Sequence, residues 1–527
     1  MKQNRLNNII NGIMKCISVA ILLLCVSCGD FLNEYSQDTA YVRGYEDLDE
    51  LLLGSGYMPT GTPSHIAYSE DYIEKPWYYP YVHLMGDELD ENIHSYSGLT
   101  AAEDAREKFF GYYTWQQQVG TNPTGTEIRK EDTDWNRIYK HINIVNMVLA
   151  DIDKQNADND HDNLEKQRIK GESYFLRGAY YFTMANLYGK PYDPATAQTD
   201  LAVPIKLTEY IEDKNFNRNT VEEVYQQAIS DLLQAENLLK GTTRKSYYRA
   251  NSTAADLLLS RLYLYKQDWA KAVEYAQKVI EAGDNSLQNL NTMTASFFLN
   301  PQLPEIIFSM GNGGLRETIT GNAKDFGISE YLYGLYNDQD IRKTFFVKWD
   351  NTYKYAEFVK GGSMDDQNRT ALSSNFLLRT AEAYLNLAEA SAYNGDEKLA
   401  LTMVNTLRKN RIKSVDYKDL DATGAALIDS IRDERERELC LEGHRWFDLR
   451  RYTVNVVRPF SKTIRHSFTT FEYNWRYGTL PIQTVYYELQ TNDAAYTLPI
   501  PKEVVSFNIG MPNNMRPQRN VIETVNY

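Results

Sequence analysis

Long amphipathic segments constrain this chain most, because a helix with one apolar stripe must bury that stripe against a neighbour. Residues 135 to 151 carry apolar side chains at spacings of three and four, the period of one helical face, at Trp135, Ile138, Ile142, Val145 and Leu149. A second helix is predicted over residues 164 to 189, where Gly189 supplies a stop signal. Thr220 followed by Glu223 has the spacing of a capping box at the start of a third helix.

Two later segments, residues 254 to 280 and 377 to 408, each have the pattern of a helix, a short polar turn and a second helix. Small residues follow the turn, Ala272 in the first segment and Ala400 in the second. They allow two antiparallel helices to approach closely, as in tetratricopeptide repeats. We therefore predict an all-α, mainly helical scaffold of divergent helix pairs, located mainly in residues 135–280 and 376–451.

Three regions lack sustained helical periodicity and are rich in Gly, Pro, Asn, Thr and Tyr: residues 55–130, 283–375 and 452–527. They are predicted to form long loops with short strands. Loops of this length within a compact protein usually serve a function. The alternative is that they only cap the open ends of the helical stack.

The N-terminus resembles a bacterial lipoprotein leader. The first 27 residues contain three basic and no acidic side chains, and the apolar run at 17–27 is too short to span a bilayer. Ser27-Cys28 resembles a lipobox, so residues 1–27 are predicted to be a signal peptide, Cys28 to be lipidated, and residues 28–40 to form a flexible tether. The alternative is an ordinary secreted protein with an incidental cysteine. Cys440 stands alone in the body of the chain, which excludes a disulfide framework there.

Charge and motifs narrow the function classes. The formal net charge of -15 makes a nucleic acid an improbable partner. No motif of a nucleophilic hydrolase, a phosphate-binding loop, a zinc protease or a Cys-His metal site occurs. The acidic run at 158–163 has Asn163 and Ile169 where a calcium loop needs Gly and Glu, which excludes an EF-hand. No catalytic residue, cofactor or metal ligand is predicted, although 71 acidic residues allow carboxylate pairs for glycoside hydrolysis.

The segment at 431–451 contains six Arg and six acidic residues, so its charges balance. Pairs four residues apart, such as Arg432 with Glu436, are predicted to support a helix by about 0.2–0.5 kcal/mol each. Cys440 is predicted to be a small buried apolar residue. The segment is therefore interpreted as a structural ion-pair helix rather than a ligand site.

Five segments resemble, in order, hallmark segments of the SusD/RagB family of outer-membrane nutrient-binding lipoproteins: residues 171–189, 268–280, 377–390, 431–451 and 496–508. The resemblance extends from the lipobox nearly to the C-terminus. The chain departs from the family pattern at Lys190-Pro191-Tyr192 and in its last residues, which puts only local loops in doubt.

The resemblance implies a single SusD-like domain over residues 28–527 whose irregular face binds a glycan. It also implies a lipid-anchored protein on the exterior of the outer membrane, which delivers an oligosaccharide to a SusC-like TonB-dependent transporter and is not an enzyme. Three alternatives stay open: a peptide-binding member of the same family, a secreted glycoside hydrolase and a structural repeat adaptor.

Aromatic clusters in the irregular regions are the best ligand candidates, since sugar rings bind to rigid aromatic faces flanked by polar groups. The predicted ligand-binding residues are Trp77, Tyr78, Tyr81, Tyr331, Tyr336, Asp338, Arg342 and Trp349. Tyr79 and Tyr333 receive less weight because they would point away from their neighbours in an extended chain. The alternative is that each aromatic side chain packs only against its own loop.

Overall fold

Helices dominate the fold. The computed structural model describes residues 42–60, 78–93, 105–127, 133–300, 302–311, 315, 325–351, 354–362 and 372–527. Within these residues nine helices have nine or more residues: α1 (Thr133–Asp151), α2 (Asp160–Tyr188), α3 (Val221–Leu239), α4 (Ser252–Lys266), α5 (Trp269–Ala282), α6 (Thr380–Tyr393), α7 (Glu397–Lys409), α8 (Gly424–Leu439) and α9 (Arg445–Thr453). Shorter helices span Tyr45–Leu51, Ala105–Lys108, Phe110–Tyr113, Glu330–Gly334, Arg342–Phe345 and Lys502–Phe507.

The long helices form a stack in which successive helices pack together from α1 to α7, and α8 packs on α6 and α7. The contact between α5 and α6 joins parts of the chain that the irregular residues 283–379 separate in sequence. This arrangement confirms the prediction of a mainly helical fold built from helix pairs.

Helix starts follow local capping signals. Thr220 and Glu223 form the predicted capping box of α3, and Asp268 and Asp396 cap the second helix of each predicted pair. Asn159 caps α2, so the acidic run that resembles part of a calcium loop begins a helix. Each cap satisfies a backbone N–H group that has no partner inside its helix.

Close helix packing depends on small residues at the contact between α2 and α3. A Cβ atom added at Gly178 would lie 2.9 Å from Leu232 Cγ and 3.1 Å from the Ala228 carbonyl oxygen. In the first pair, Ala272 is fully buried and its carbonyl accepts a hydrogen bond from Ser260 Oγ at 3.2 Å. The close approach expected after the turn of this pair is therefore present.

The predicted helix at 431–451 is broken in the structure. Residues 440–444 interrupt it between α8 and α9, and Leu441 (φ 56°) and Gly443 (φ 77°) adopt left-handed backbone conformations. A side chain at Gly443 would also meet the Asn375 backbone at 3.1 Å. Glycine is required there for both reasons.

The strands of the described residues form three antiparallel sheets. The first contains, in spatial order, β1 (Leu89–Glu91), β3 (Phe326–Ile328), β5 (Tyr355–Phe358) and β4 (Val347–Asp350). The second pairs β2 (Ile306–Ser309) with β6 (Leu377–Arg379), and the third contains β7 (Ile464–Asn474), β8 (Gly478–Leu489) and β9 (Glu523–Asn526). The hairpin of β7 and β8, with strands of 11 and 12 residues, corrects the expectation of only short strands in residues 452–527. Its base is buried through Ile464, Phe468 and Leu489, whereas the end of β7 is exposed.

A buried ion network connects the helical stack to the sheets. The fully buried Glu438, at the end of α8, accepts hydrogen bonds from Arg342, Arg379 and Arg411, at 2.7 to 2.9 Å. Arg379 and Arg411 also bind Glu305, at 2.9 and 2.6 Å. Because the three arginines come from three different segments, the network fixes those segments relative to one another.

The pairs predicted within residues 431–451 are replaced by contacts across helices. Arg432 donates to the Tyr393 hydroxyl at 2.8 Å, and Glu436 binds Arg445 at 2.9 Å. Cys440 is buried, as predicted. The structural interpretation of this segment agrees with these contacts. Local pairs are also present, Arg437 with Glu434 at 2.8 Å and Arg451 with Asp448 at 2.7 Å, but each joins residues three apart rather than four.

We expect Gly178→Val to lower the free energy of unfolding by about 1–3 kcal/mol, because the added side chain overlaps Leu232 and the Ala228 carbonyl. Gly334→Val is the matched control, since a Cβ at Gly334 meets no atom within 4 Å, and it is expected to change stability by at most about 0.5 kcal/mol. Urea denaturation measures both. Equal stability of the two variants would contradict the close packing of α2 on α3.

We expect Glu438→Gln to cost about 3–5 kcal/mol of stability, because it leaves three buried guanidinium groups without their shared carboxylate. Glu274→Gln, which removes a half-exposed pair with Lys271, is the control and should change stability by at most about 0.5 kcal/mol. The same denaturation experiment tests both variants, and a Glu438→Gln protein as stable as the control would refute a central role for the network.

The network also predicts a pH dependence. Burial opposes ionisation, but Arg342 and Arg437 lower the pKa of Glu434 to about 2, and Arg411, Arg379 and Arg342 hold the pKa of Glu438 well below its usual range. Depressed carboxyl pKa values stabilise the folded state above the unfolded pKa, about 4.5, and this stabilisation is lost as the pH falls towards 2. Thermal melts between pH 6 and 2.5 should therefore show a smaller acid-induced loss in Glu438→Gln than in the unchanged protein.

Candidate ligand-binding surface

The structure describes seven of the eight predicted ligand-binding residues. Trp77 lies outside the described residues, as does Cys28, the predicted lipidation site. The seven others divide into buried and exposed side chains, and this division decides which of them a ligand can reach.

The aromatic residues of the first cluster are buried. The Tyr78 hydroxyl is hydrogen-bonded to His141 Nε2 at 2.6 Å, and the Arg137 guanidinium lies 3.6 Å from the centre of its ring. Tyr81 stacks on Tyr112 with ring centres 3.9 Å apart. Tyr78 and Tyr81 are therefore buried and do not form the open aromatic platform that the sequence predicts.

A narrow cleft nevertheless borders Tyr78. Its other walls include Met58, Pro80, Ser374 and Phe376. Asn375 Nδ2 donates to the Tyr78 carbonyl at 2.6 Å, which holds the segment before β6 against the first cluster. Tyr78 thus contributes a wall of a cleft rather than a free face.

The second cluster also loses two predicted residues to the interior. The Tyr336 hydroxyl donates to the Arg437 carbonyl at 2.8 Å, and its side chain is 2% exposed. Arg342 is fully buried and belongs to the Glu438 network, with a 2.7 Å pair to Asp340. Neither side chain is available to a ligand, so the prediction for Tyr336 and Arg342 is corrected.

A group of exposed and half-buried residues, which we call the Trp349 patch, consists of Tyr333, Asp338, Lys343 and Trp349. The Trp349 side chain is 39% exposed, and its ring centre lies 5.6 Å from that of Tyr333. Lys343 Nζ lies 5.2 Å from the Tyr333 ring centre and binds Asp338 at 2.8 Å. This pair lowers the pKa of Asp338 and raises that of Lys343, so both groups are charged at neutral pH.

Tyr333 joins the patch because the chain is helical there. In an extended chain Tyr333 would point away from Tyr331, but Glu330–Gly334 is a short helix capped by the Ser329 side chain. Tyr333, which received less weight in the prediction, therefore packs on Trp349, the exposed tryptophan of this cluster.

Tyr331 is 43% exposed and lies in a different environment. Lys462 Nζ lies 3.6 Å from its ring centre, and its hydroxyl donates to Glu436 at 3.1 Å. Burial and the negative charge of Glu436 raise the pKa of this hydroxyl, so it stays protonated at neutral pH. Tyr331 presents part of a ring beside a cation and a carboxyl group.

The Trp349 patch combines an aromatic face with a hydrogen-bond acceptor and a hydrogen-bond donor. A pyranose ring has apolar C–H faces that can pack on Trp349, and hydroxyl groups that can reach Asp338 or Lys343. The same groups could receive a peptide side chain. The patch is therefore suited to binding an uncharged polar ligand with one flat apolar face.

Interior carboxyls with raised pKa values do not line the Tyr78 cleft. Burial raises the pKa of Glu88 to about 8 and that of Glu436 to about 7. Glu88 accepts a hydrogen bond from the Leu441 backbone N–H at 2.8 Å, and Glu436 binds Arg445 and Tyr331. They also do not line a second cavity of about 60 Å³, whose walls include Phe175 and Phe308.

The hairpin of β7 and β8 carries exposed aromatic residues that the sequence analysis did not select. Tyr473, Trp475 and Tyr477 are 73%, 84% and 65% exposed, and Asn474 Oδ1 accepts the backbone N–H groups of residues 476 and 477. The sequence signal that could have identified them is their spacing around Asn474, a residue that favours turns.

Comparisons with known proteins agree with this fold. A family model described as "Starch-binding associating with outer membrane" matches residues 81–264, and the SusD family model matches residues 310–517. "SusD-like protein P2" of Formosa agariphila is 24% identical over 380 residues, which are 60% of this chain and 70% of that protein.

Two solved structures from Bacteroides vulgatus have the same fold. A candidate sugar-binding protein superimposes with a TM-score of 0.66 at 24% identity, over 90% of this chain and 98% of its own. A SusD-like carbohydrate-binding protein superimposes with a TM-score of 0.64 at 21% identity, over 89% and 98% of the two chains. The chain belongs to the SusD/RagB family. Among the residues described, no helix is long and apolar enough to cross a membrane.

Proposed function

We propose that this protein is a carbohydrate-binding lipoprotein of the outer membrane that captures an oligosaccharide outside the cell and passes it to a SusC-like TonB-dependent transporter. The family models and the names of the relatives support a carbohydrate ligand and an outer-membrane location. The proposed chain consists of a signal peptide over residues 1–27 and one SusD-like domain over residues 28–527, anchored by a lipid on Cys28.

The observation that carries the proposal is the Trp349 patch. Trp349 and Tyr333 are in contact and partly open to solvent, and the charged pair of Asp338 and Lys343 lies beside them. This combination of an aromatic face and polar groups fits a sugar ring. We propose binding without catalysis. The interior acids Glu88 and Glu436 are held by protein groups and do not line the Tyr78 cleft.

A peptide ligand is the second candidate, because an aromatic face flanked by Asp338 and Lys343 also suits a polar peptide. A mixture of tryptic casein peptides serves as the competing probe in the same binding assay. Saturable binding of the peptides, with none of any polysaccharide, would favour this candidate.

We expect Trp349→Ala to weaken polysaccharide binding about tenfold, or about 1.4 kcal/mol, by removing the exposed ring. Affinity electrophoresis in gels containing soluble starch, xylan, pectin or laminarin identifies the glycan, and calorimetry with an oligosaccharide of that glycan measures the loss. The melting temperature should stay within about 2 °C of the unchanged protein because Trp349 is partly exposed.

Trp475→Ala is the matched control, since it removes an exposed tryptophan from the hairpin turn, outside the Trp349 patch. It should bind the same glycan with unchanged affinity. Unchanged affinity in Trp349→Ala, or an equal loss in both variants, would remove the Trp349 patch from the proposal.

We expect Cys28→Ala to move the protein from the membrane to the soluble fraction, because acyl chains each contribute about 0.8 kcal/mol per buried CH₂ group to membrane binding. Fractionation followed by immunoblotting measures the distribution. Cys25→Ala is the control and should stay with membranes. A Cys28→Ala protein that still sediments with membranes would contradict the anchor.

A further inference from the structure

A cleft of about 380 Å³ lies on the molecule outside the Trp349 patch and the Tyr78 cleft. Its walls come from the segment after α2, the end of α9 and the C-terminal region, and they include Lys190, Arg450, Asn492, Tyr496 and Met515. The volume lies in the range of small-molecule sites. Met515 is 78% exposed, so the rim is open to solvent on that side.

Arg450 differs from the buried arginines of the Glu438 network. Arg342, Arg379 and Arg411 each bind two or three carboxylates. Arg450 is only 2% exposed and donates through Nη2 to the Gly189 carbonyl and to Thr497 Oγ1, while its Nε and Nη1 have no hydrogen-bond partner among the residues described.

A buried guanidinium without a counter-charge is costly. Burial lowers the pKa of Arg450 to about 10, so it stays charged at neutral pH. Its position in the last turn of α9 places it near the negative end of a helix dipole, which offsets only part of a unit charge. The cleft is therefore lined by a positive charge that no carboxylate of the described chain neutralises.

The residues around the cleft extend this positive character. Arg218 donates to Asn514 Oδ1 and otherwise to backbone carbonyls, and Arg516 donates only to the Ala495 carbonyl in the described structure. Burial lowers the pKa of both arginines to about 10. Asp493 also lines the cleft, but its carboxylate binds Arg519 at 2.8 Å, and Asp200 binds Lys190.

This local excess of positive charge is notable in a chain with a formal net charge of -15. Long-range attraction by the whole protein does not favour anions, so a positive cleft must act at short range. A site with a desolvated guanidinium, amide groups and room for a sugar-sized molecule recognises an oxyanion by charge-assisted hydrogen bonds.

We propose that this cleft is a second ligand site, which binds a small molecule bearing a carboxylate or sulfate group through Arg450. Lys190 and Asn492 at the rim supply further hydrogen-bond donors. The site does not depend on the proposed capture of a glycan at the Trp349 patch, and it could act on an acidic sugar or on a free anion.

Calorimetry of the mature chain at pH 7.5 and constant ionic strength tests this site with sodium D-glucuronate, sodium sulfate and D-glucose as separate probes. We expect saturable binding of at least one of the two anions and none of glucose. Binding of glucuronate alone identifies a carboxylate on a sugar-sized body, whereas binding of both identifies the oxyanion itself. Absence of saturable binding by both anions would overturn the proposal.

Arg450→Gln should weaken anion binding at least tenfold, whereas Arg476→Gln, which removes an exposed arginine at the hairpin turn, should leave it unchanged. Met515→Trp narrows the cleft from its exposed rim without altering Arg450, and it should also weaken anion binding at least tenfold. This variant therefore tests the site even if Arg450→Gln fails to fold. Anion binding that survives in Met515→Trp, or that falls equally in Arg476→Gln, would overturn the site. Retained polysaccharide binding in Met515→Trp separates this result from the fate of the Trp349 patch.

Discussion

The buried carboxylate of Glu438 is the interaction on which the arrangement of this molecule depends. It stands at the end of α8 and receives guanidinium groups from Arg342, Arg379 and Arg411. Arg379 ends β6, and Arg342 begins the short helix that leads into β4, the strand that carries Trp349. One carboxylate thus joins the helical stack to the irregular region between α5 and α6. The network therefore helps to position β4 and the candidate surface around Trp349.

The helices could be predicted because their signals are local. The stripe in α1, the capping box of α3 and the polar turn before α5 depend only on neighbours in sequence, and all three are present. The break between α8 and α9 was missed although Gly443 is a local stop signal, and the tertiary part of its role, the close approach to the Asn375 backbone, could not be predicted from the sequence. The long hairpin was missed for a similar reason, since its register and burial depend on packing against distant residues such as Glu91, which binds Thr469.

Composition and spacing located the aromatic clusters of the candidate surface but could not separate their exposed from their buried members. Tyr78 and Tyr336 have the same residue type and loop setting as Tyr331, yet their hydroxyls are satisfied by His141 and the Arg437 carbonyl in the interior. That difference arises from partners far away in sequence. Tyr333 shows the opposite error, because a single short helix places it against Trp349. Side-chain direction, not residue type, decides membership of such a surface.

Charge balance in residues 431–451 illustrates why a count cannot assign roles to ionic residues. Six arginines and six acids are present, but Glu438 and Glu442 bind arginines from outside the segment. Arg451 in turn binds Glu389 from α6. The segment is neutral as a whole, and yet Arg450 is left without a carboxylate. A buried guanidinium that binds a carboxylate of the same chain stabilises the fold. A buried, charged guanidinium that binds no carboxylate and lies beside an open cleft can instead be neutralised by an anion that enters the cleft.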